Sequence, residues 1–217
     1  MRQILSLITG ILCLLATAPC VPAAEDPLAE DRARFLDARK ALDENRLGDF
    51  RRLAAQLEDY PLHPYLQFWE LQGRLRHAST REVSAFIDRH ATDLLGQRLR
   101  RSWLYSLARR KDWPRFLETY REPQPAKLQC YRLQALLHTG KEDSIATAAL
   151  ELWLVGKSQE SACDPVFAWL EKKDLITKDL LWQRIRLAME NGNASLAGYL
   201  AKRLPEQERA WVTLWRA

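Results

Sequence analysis

Four histidines, His63, His77, His90 and His138, are the side chains most apt for metal or proton chemistry in this sequence. Their spacing organises neither. No His-Glu-x-x-His string and no Cys/His cluster gathers them, so the sequence predicts no zinc site and no other metal centre. A phosphate-cradling glycine loop and a Gly-x-Ser-x-Gly elbow are also missing, and no cofactor is expected. Carboxylates are plentiful, but glycoside cleavage needs two of them across a cleft with one desolvated. Helical spacing sends most to solvent-facing positions and singles out no such pair. The eight tryptophans suggest sugar stacking. Trp69, Trp103, Trp153, Trp169 and Trp182 lie within apolar helical stripes, however, where core packing is the simpler role. Arg98, Arg100, Arg101, Arg109 and Arg110 could face an anionic polymer, or could simply cover the outer face of a helix with their stems. No catalytic residue is assigned.

The cysteines are read together with the N-terminus. Arg2 supplies a positive start, Ile4 to Leu15 an apolar run broken by Ser6, Thr9 and Gly10, and Val21-Pro22-Ala23-Ala24 a small-residue exit. Residues 1–24 are therefore expected to be a cleaved secretory signal peptide, too short for a membrane span with ordinary flanks. Lipidation at Cys20 is disfavoured by Pro19 before it and by Thr17 where a leucine is usual. Export leaves Cys130 and Cys163 in the mature chain, and an even pair in an oxidising compartment is most simply a disulfide. The alternative, a reactive thiol, would need a base, and His138 on the same predicted helix as Cys130 is the histidine nearest in sequence.

The remaining chain, residues 25–217, must position these groups. It is rich in Leu, Ala, Arg and Glu, with 8 glycines and 10 prolines in 217 residues, a composition that favours helix over sheet. No stretch alternates with period two. Apolar residues recur at helical spacing in segments of about 10 to 18 residues. Pro27 to Arg46 reads as an amphipathic helix, with Gly48 ending it and Asp49 capping the next. Pro64 suits a first helical turn, and Ser79 with Glu82 has the spacing of an N-terminal cap. Elbows at Gly48, Lys111, Gly140 and Gly192 recur loosely at multiples of about 30 residues, the scale of tetratricopeptide-like hairpins. The expected fold is all-α, a superhelix of stacked helical hairpins, each burying its apolar face against its neighbours. The formal charge of +5 fits a mixed solvated surface, and no nucleic-acid partner is expected.

Several strings then become specific. They are Asp59-Tyr-Pro-Leu-His-Pro-Tyr-Leu66, the Arg-x-Arg-Arg-x-Trp-Leu run ahead of Leu107 to Trp113, Gln129-Cys130, Glu151 to Asp164, and Arg184-Ile185-Arg186-Leu187-Ala188. In order and over essentially the whole mature chain, they resemble the N-terminal, U-shaped superhelical part of soluble periplasmic lytic murein transglycosylases, and the Cys130/Cys163 pair fits. The resemblance implies a periplasmic location and a glycan partner, peptidoglycan. In that family the β-1,4 bond between N-acetylmuramic acid and N-acetylglucosamine is cleaved to a 1,6-anhydromuramyl end. A glutamic acid of a lysozyme-like C-terminal domain is acid and then base.

That catalytic motif is a Glu-Ser followed by a Gly-x-Met-Gln-Leu-Met-Pro-like string. Only the first half has a counterpart here, Glu160-Ser161, in the connection leading to Cys163, and it is read as a chance match. The chain is accordingly expected to be a monomeric, non-catalytic helical domain, inactive alone, with its lysozyme-like domain downstream. The final Glu208 to Ala217 segment, which stops mid-helix, suggests a truncated frame. A stand-alone periplasmic scaffold for a protein partner is the alternative.

Overall fold

The computed structural model describes residues 26–142 and 145–216, where every regular element is helical. The expected signal peptide, with Cys13 and Cys20, lies outside the described residues. In chain order the helices are α1 (Ala29–Asp43), α2 (Leu47–Ala54), α3 (His63–Gly73), α4 (Thr80–Arg89), α5 (Leu94–Arg110) and α6 (Trp113–Thr119). There follow α7 (Ala126–His138), α8 (Ala146–Trp153), α9 (Asp164–Lys172), α10 (Lys178–Glu190), α11 (Ala194–Ala201) and α12 (Glu206–Arg216). Short 3-10 turns sit at Ala55–Leu57 and Ser161–Cys163.

Helix ends follow from a few residue types. Ser79 and Glu82 form a reciprocal capping box on α4, and Asp93, Thr177 and Asn193 accept from first-turn amides of α5, α10 and α11. Pro64 lies in the first turn of α3, where its missing N–H is harmless. Five elbows share one geometry, a left-handed residue at Asn45, Lys111, Gly140, Asp174 or Gly192. In each, that residue's N–H bonds three residues back and the next N–H bonds five back, as in Lys111 to Ala108 at 3.1 Å and Asp112 to Leu107 at 3.0 Å. This is the Schellman closure, which satisfies carbonyls left open at a helix end. Gly48 is not one of these elbows. The turn is made at Asn45, whose side chain tolerates the left-handed region better than most, and Gly48 already lies inside α2.

The described residues divide into two compact units, one ending at Tyr60 and the other beginning at Pro61. In the first, α1 packs on α2 and buries Phe35, Ala38, Ala41, Phe50 and Leu57, with the Phe35 and Tyr60 rings 5.6 Å apart. In the second, helices pack mainly on their sequence neighbours, α4 on α5, α5 on α6, α6 on α7, α10 on α11 and α11 on α12. This serial packing of hairpins is solenoid logic. Its core has two stretches, one from Phe68 to Ala135 around Leu99, Trp103, Leu104 and Phe116, the other from Leu133 to Val212 around Trp153, Leu170 and Ile185. Each fully buried Leu or Phe there contributes roughly 1.5–3 kcal/mol relative to exposure.

Candidate binding groove

After α8 the chain is irregular through residues 154–160, and two surface clefts open beside that segment. Gly156 lets it approach α10. A Cβ on Gly156 would stand 2.3 Å from the Leu187 carbonyl oxygen and 2.3 Å from Asn191 Nδ2. On the α7 side, Cys163 is bonded to Cys130 with a Cα–Cα distance of 4.9 Å, and Gln134 Nε2 donates to the Ala162 carbonyl at 2.6 Å. Gln159 Nε2 donates back to Leu152 O at 2.8 Å. The segment is thus tied to α7, α8 and α10 at once.

Beside it lies an open cleft of about 750 Å³. Tyr105 and Arg109 reach it from α5 and Lys127 and Tyr131 from α7, two i,i+4 pairs, each sharing a helix face. Arg76 joins from just beyond α3, and Glu160 from the irregular segment. An adjoining cleft of about 550 Å³ shares Tyr105, Lys127 and Glu160 and continues along Lys157, Ser158 and Gln159. Together they make a groove with four cations, one carboxylate and two tyrosine rings. Lys127 Nζ lies 3.0 Å from Glu160 Oε2, and that hydrogen bond holds the ammonium above the ordinary lysine range. Glu160 is 56% exposed and ion-paired, the reverse of the desolvated setting a glycosidic general acid requires.

The other sequence candidates are dispersed. Arg109 faces the groove, whereas Arg110 lies over the Trp103 ring at 4.6 Å, and Arg98 and Arg101 are exposed. Trp103 and Trp153 are buried, while Trp69, Trp169 and Trp182 are partly buried, Trp182 donating to Glu208 at 2.6 Å. His138 stacks on Trp113 with centroids 5.5 Å apart. His90 pairs with Asp93 at 2.6 Å, and His63 meets Gln67 at 3.0 Å. Among the described residues, no group of three or more His, Cys, Asp or Glu side chains could hold a metal ion, and no helix is long and apolar enough to cross a membrane. The groove is not legible as a unit in the sequence, because its residues come from four separate segments. The i,i+4 spacing of Tyr105 with Arg109 and of Lys127 with Tyr131 was the available signal.

No protein-family model matches the chain. It is 32% identical over 200 residues, 92% of its length, to the soluble lytic murein transglycosylase of Escherichia coli K12. It is 32% identical over 202 residues, 93% of its length, to that of Salmonella typhimurium LT2. The chain spans about 31% of the length of these curated relatives. Among solved structures, the 70 kDa soluble lytic transglycosylase of E. coli superposes with a TM-score of 0.78 at 30% identity, over 87% of this chain and 31% of that one. The same enzyme has been solved in complex with bulgecin A. An inactive mutant of the lytic transglycosylase Slt of Pseudomonas aeruginosa matches with a TM-score of 0.73 at 36% identity, over 80% of this chain and 28% of that one. The resemblance read from the sequence holds: the homologues of this chain are soluble lytic murein transglycosylases, matched over about a third of their length.

Proposed function

We propose that this chain is the non-catalytic helical domain of a periplasmic soluble lytic murein transglycosylase, and that its groove holds glycan strands of peptidoglycan. The observation that carries the reading is the match over 92% of this chain but 31% of the relatives, joined to the setting of Glu160. In the proposal, cleavage of the MurNAc–GlcNAc β-1,4 bond to a 1,6-anhydro end belongs to a lysozyme-like domain downstream. The groove's part is to hold and orient. Murein carries carboxylates on its peptides, which the Arg76, Arg109, Lys127 and Lys157 cations attract through a field that salt screens. The Tyr105 and Tyr131 rings offer flat apolar faces with a polar tip, suited to sugar rings. Co-sedimentation of the purified chain with sacculi tests this. Binding that weakens with added salt and with Arg109→Ala/Lys127→Ala supports it, and binding indifferent to both rejects the groove.

A second reading, a scaffold for a protein partner, is favoured by the outer face of α12, where Trp211, Leu214 and Trp215 are 57%, 75% and 49% exposed. Contiguous solvated apolar surface marks contact sites, those between proteins among them. Under this reading, Trp211→Ala/Trp215→Ala abolishes capture of a defined periplasmic protein while sacculus binding is absent from the start.

A further inference from the structure

Arg184 of α10 is 5% exposed, yet no carboxylate among the described residues answers its charge. Its guanidinium lies over the Trp153 ring at 4.6 Å and the Phe167 ring at 5.8 Å. Nε donates to Val155 O at 3.3 Å and Nη2 to Lys157 O at 3.5 Å, both long for such bonds. Those two acceptors occupy one edge of the fork. A guanidinium has five N–H donors, and here Nη1 and the second N–H of Nη2 have no partner among the described residues. A buried cation without an anion is costly. Here burial, then the like charge of Arg203, push the Arg184 group down to about 10.

Arg184 lines a cavity of about 560 Å³, within the roughly 300–1,000 Å³ typical of small-molecule sites. The carboxylates of that cavity are otherwise engaged or apart. Glu171 is paired with Arg203 at 2.9 Å, and Asp164 makes no bond to Arg184. At the start of α11, Asn193 Oδ1 is used by the Leu196 amide at 3.1 Å. Its Nδ2 and the Ser195 hydroxyl are left without partners among the described residues while lining the same cavity. Leu196 and Leu200 supply apolar wall beside them.

We propose that this cavity binds the free C-terminal carboxylate of a short peptide, end-on against the Nη1/Nη2 edge of Arg184, with a small aliphatic side chain against Leu196 and Leu200. A planar two-oxygen acceptor matches the planar fork. The site stands whether or not the basic groove holds glycan, since it shares neither its cations nor its tyrosines. The test uses the whole chain and three probes, N-acetyl-alanyl-alanine, its C-terminal amide and inorganic phosphate, while the Arg184 Nε–H resonance is followed by NMR. The expected result is a saturable shift with the acid, at least about tenfold weaker binding of the amide, and no competition from equimolar phosphate. Arg184→Lys, followed through the Leu196 and Leu200 backbone amide resonances of the cavity wall, removes acid binding if it folds, and the acid-against-amide comparison on the unaltered chain decides the matter if it does not. Equal binding of acid and amide, no saturable shift, or equal competition by phosphate overturns the proposal.

Discussion

Reducing the Cys130–Cys163 bridge probes how the region around residues 154–163 is held. Both sulfurs are fully buried, packed with Ala162. The cross-link closes a sequence separation of 33. In the loop-entropy account, closing a loop of that size removes about 12–13 cal/mol/K from the unfolded chain, or about 3–4 kcal/mol at 25 °C. The contacts that share the work, Gln134 to Ala162 O and Lys127 to Glu160, survive reduction. The reduced chain should therefore keep its fold and lose stability through its freer unfolded state. At about 2–4 °C per kcal/mol for a domain of this size, the melting temperature should fall by roughly 6–16 °C. Circular-dichroism melts and urea titrations of the oxidised and dithiothreitol-reduced chain measure the difference. Cys130→Ala/Cys163→Ala should fall slightly below the reduced protein, because each replacement leaves a small void in a fully buried site. A loss below about 1 kcal/mol, with two-state unfolding in both forms, would refute the entropic reasoning. Two free thiols in the unfolded, non-reduced protein would refute the bridge itself.

Other perturbations have defined outcomes. Gly156→Ala drives a methyl into the Leu187 backbone and should cost about 1–3 kcal/mol by overpacking, seen as a lower urea midpoint; an unchanged midpoint would mean that segment 154–160 is not tied to α10. Ser79→Ala removes half of the α4 capping box and should cost about 1 kcal/mol, measured in the same way. Hydrogen bonds from Arg74, then from the Ser79 backbone and hydroxyl, bring the Glu82 carboxyl down from 4.5 to about 2. A carboxyl depressed in the folded state stabilises above its unfolded value and loses that contribution as pH falls. The stability advantage of the wild-type chain over Glu82→Gln should thus be complete above about pH 4.5 and fade toward pH 2, and a pH-independent difference would contradict the pairing. Arg109→Ala/Lys127→Ala removes exposed or half-exposed groups and should leave stability within about 0.5 kcal/mol per site, so that lost sacculus binding reports on the groove rather than on folding.

The helices were legible because their punctuation is local. Ser79 with Glu82, Pro64, Gly140 and Gly192 each announce a boundary through their own chemistry. Asn45 and Asp174 were not, since a left-handed elbow at a residue other than glycine is chosen by the packing of both flanking helices, and Gly48 offered a false stop. The arginines of α5 look like one patch in the sequence. Helical rotation separates them, carrying Arg109 to the groove and Arg110 over Trp103. Lys127 and Glu160 are 33 residues apart and meet only because segment 154–163 folds back on α7. Arg184 reads as one more helix arginine until Val155, Lys157, Trp153 and Phe167 are placed around it.

The most direct measurement is to incubate the purified chain with intact sacculi and to assay both the pellet for bound protein and the supernatant for 1,6-anhydromuropeptides. Salt-sensitive retention in the pellet with no anhydromuropeptide release is the predicted result. Release of anhydromuropeptides by this chain alone, or no association with sacculi at low salt, would contradict the account of a non-catalytic domain that holds glycan.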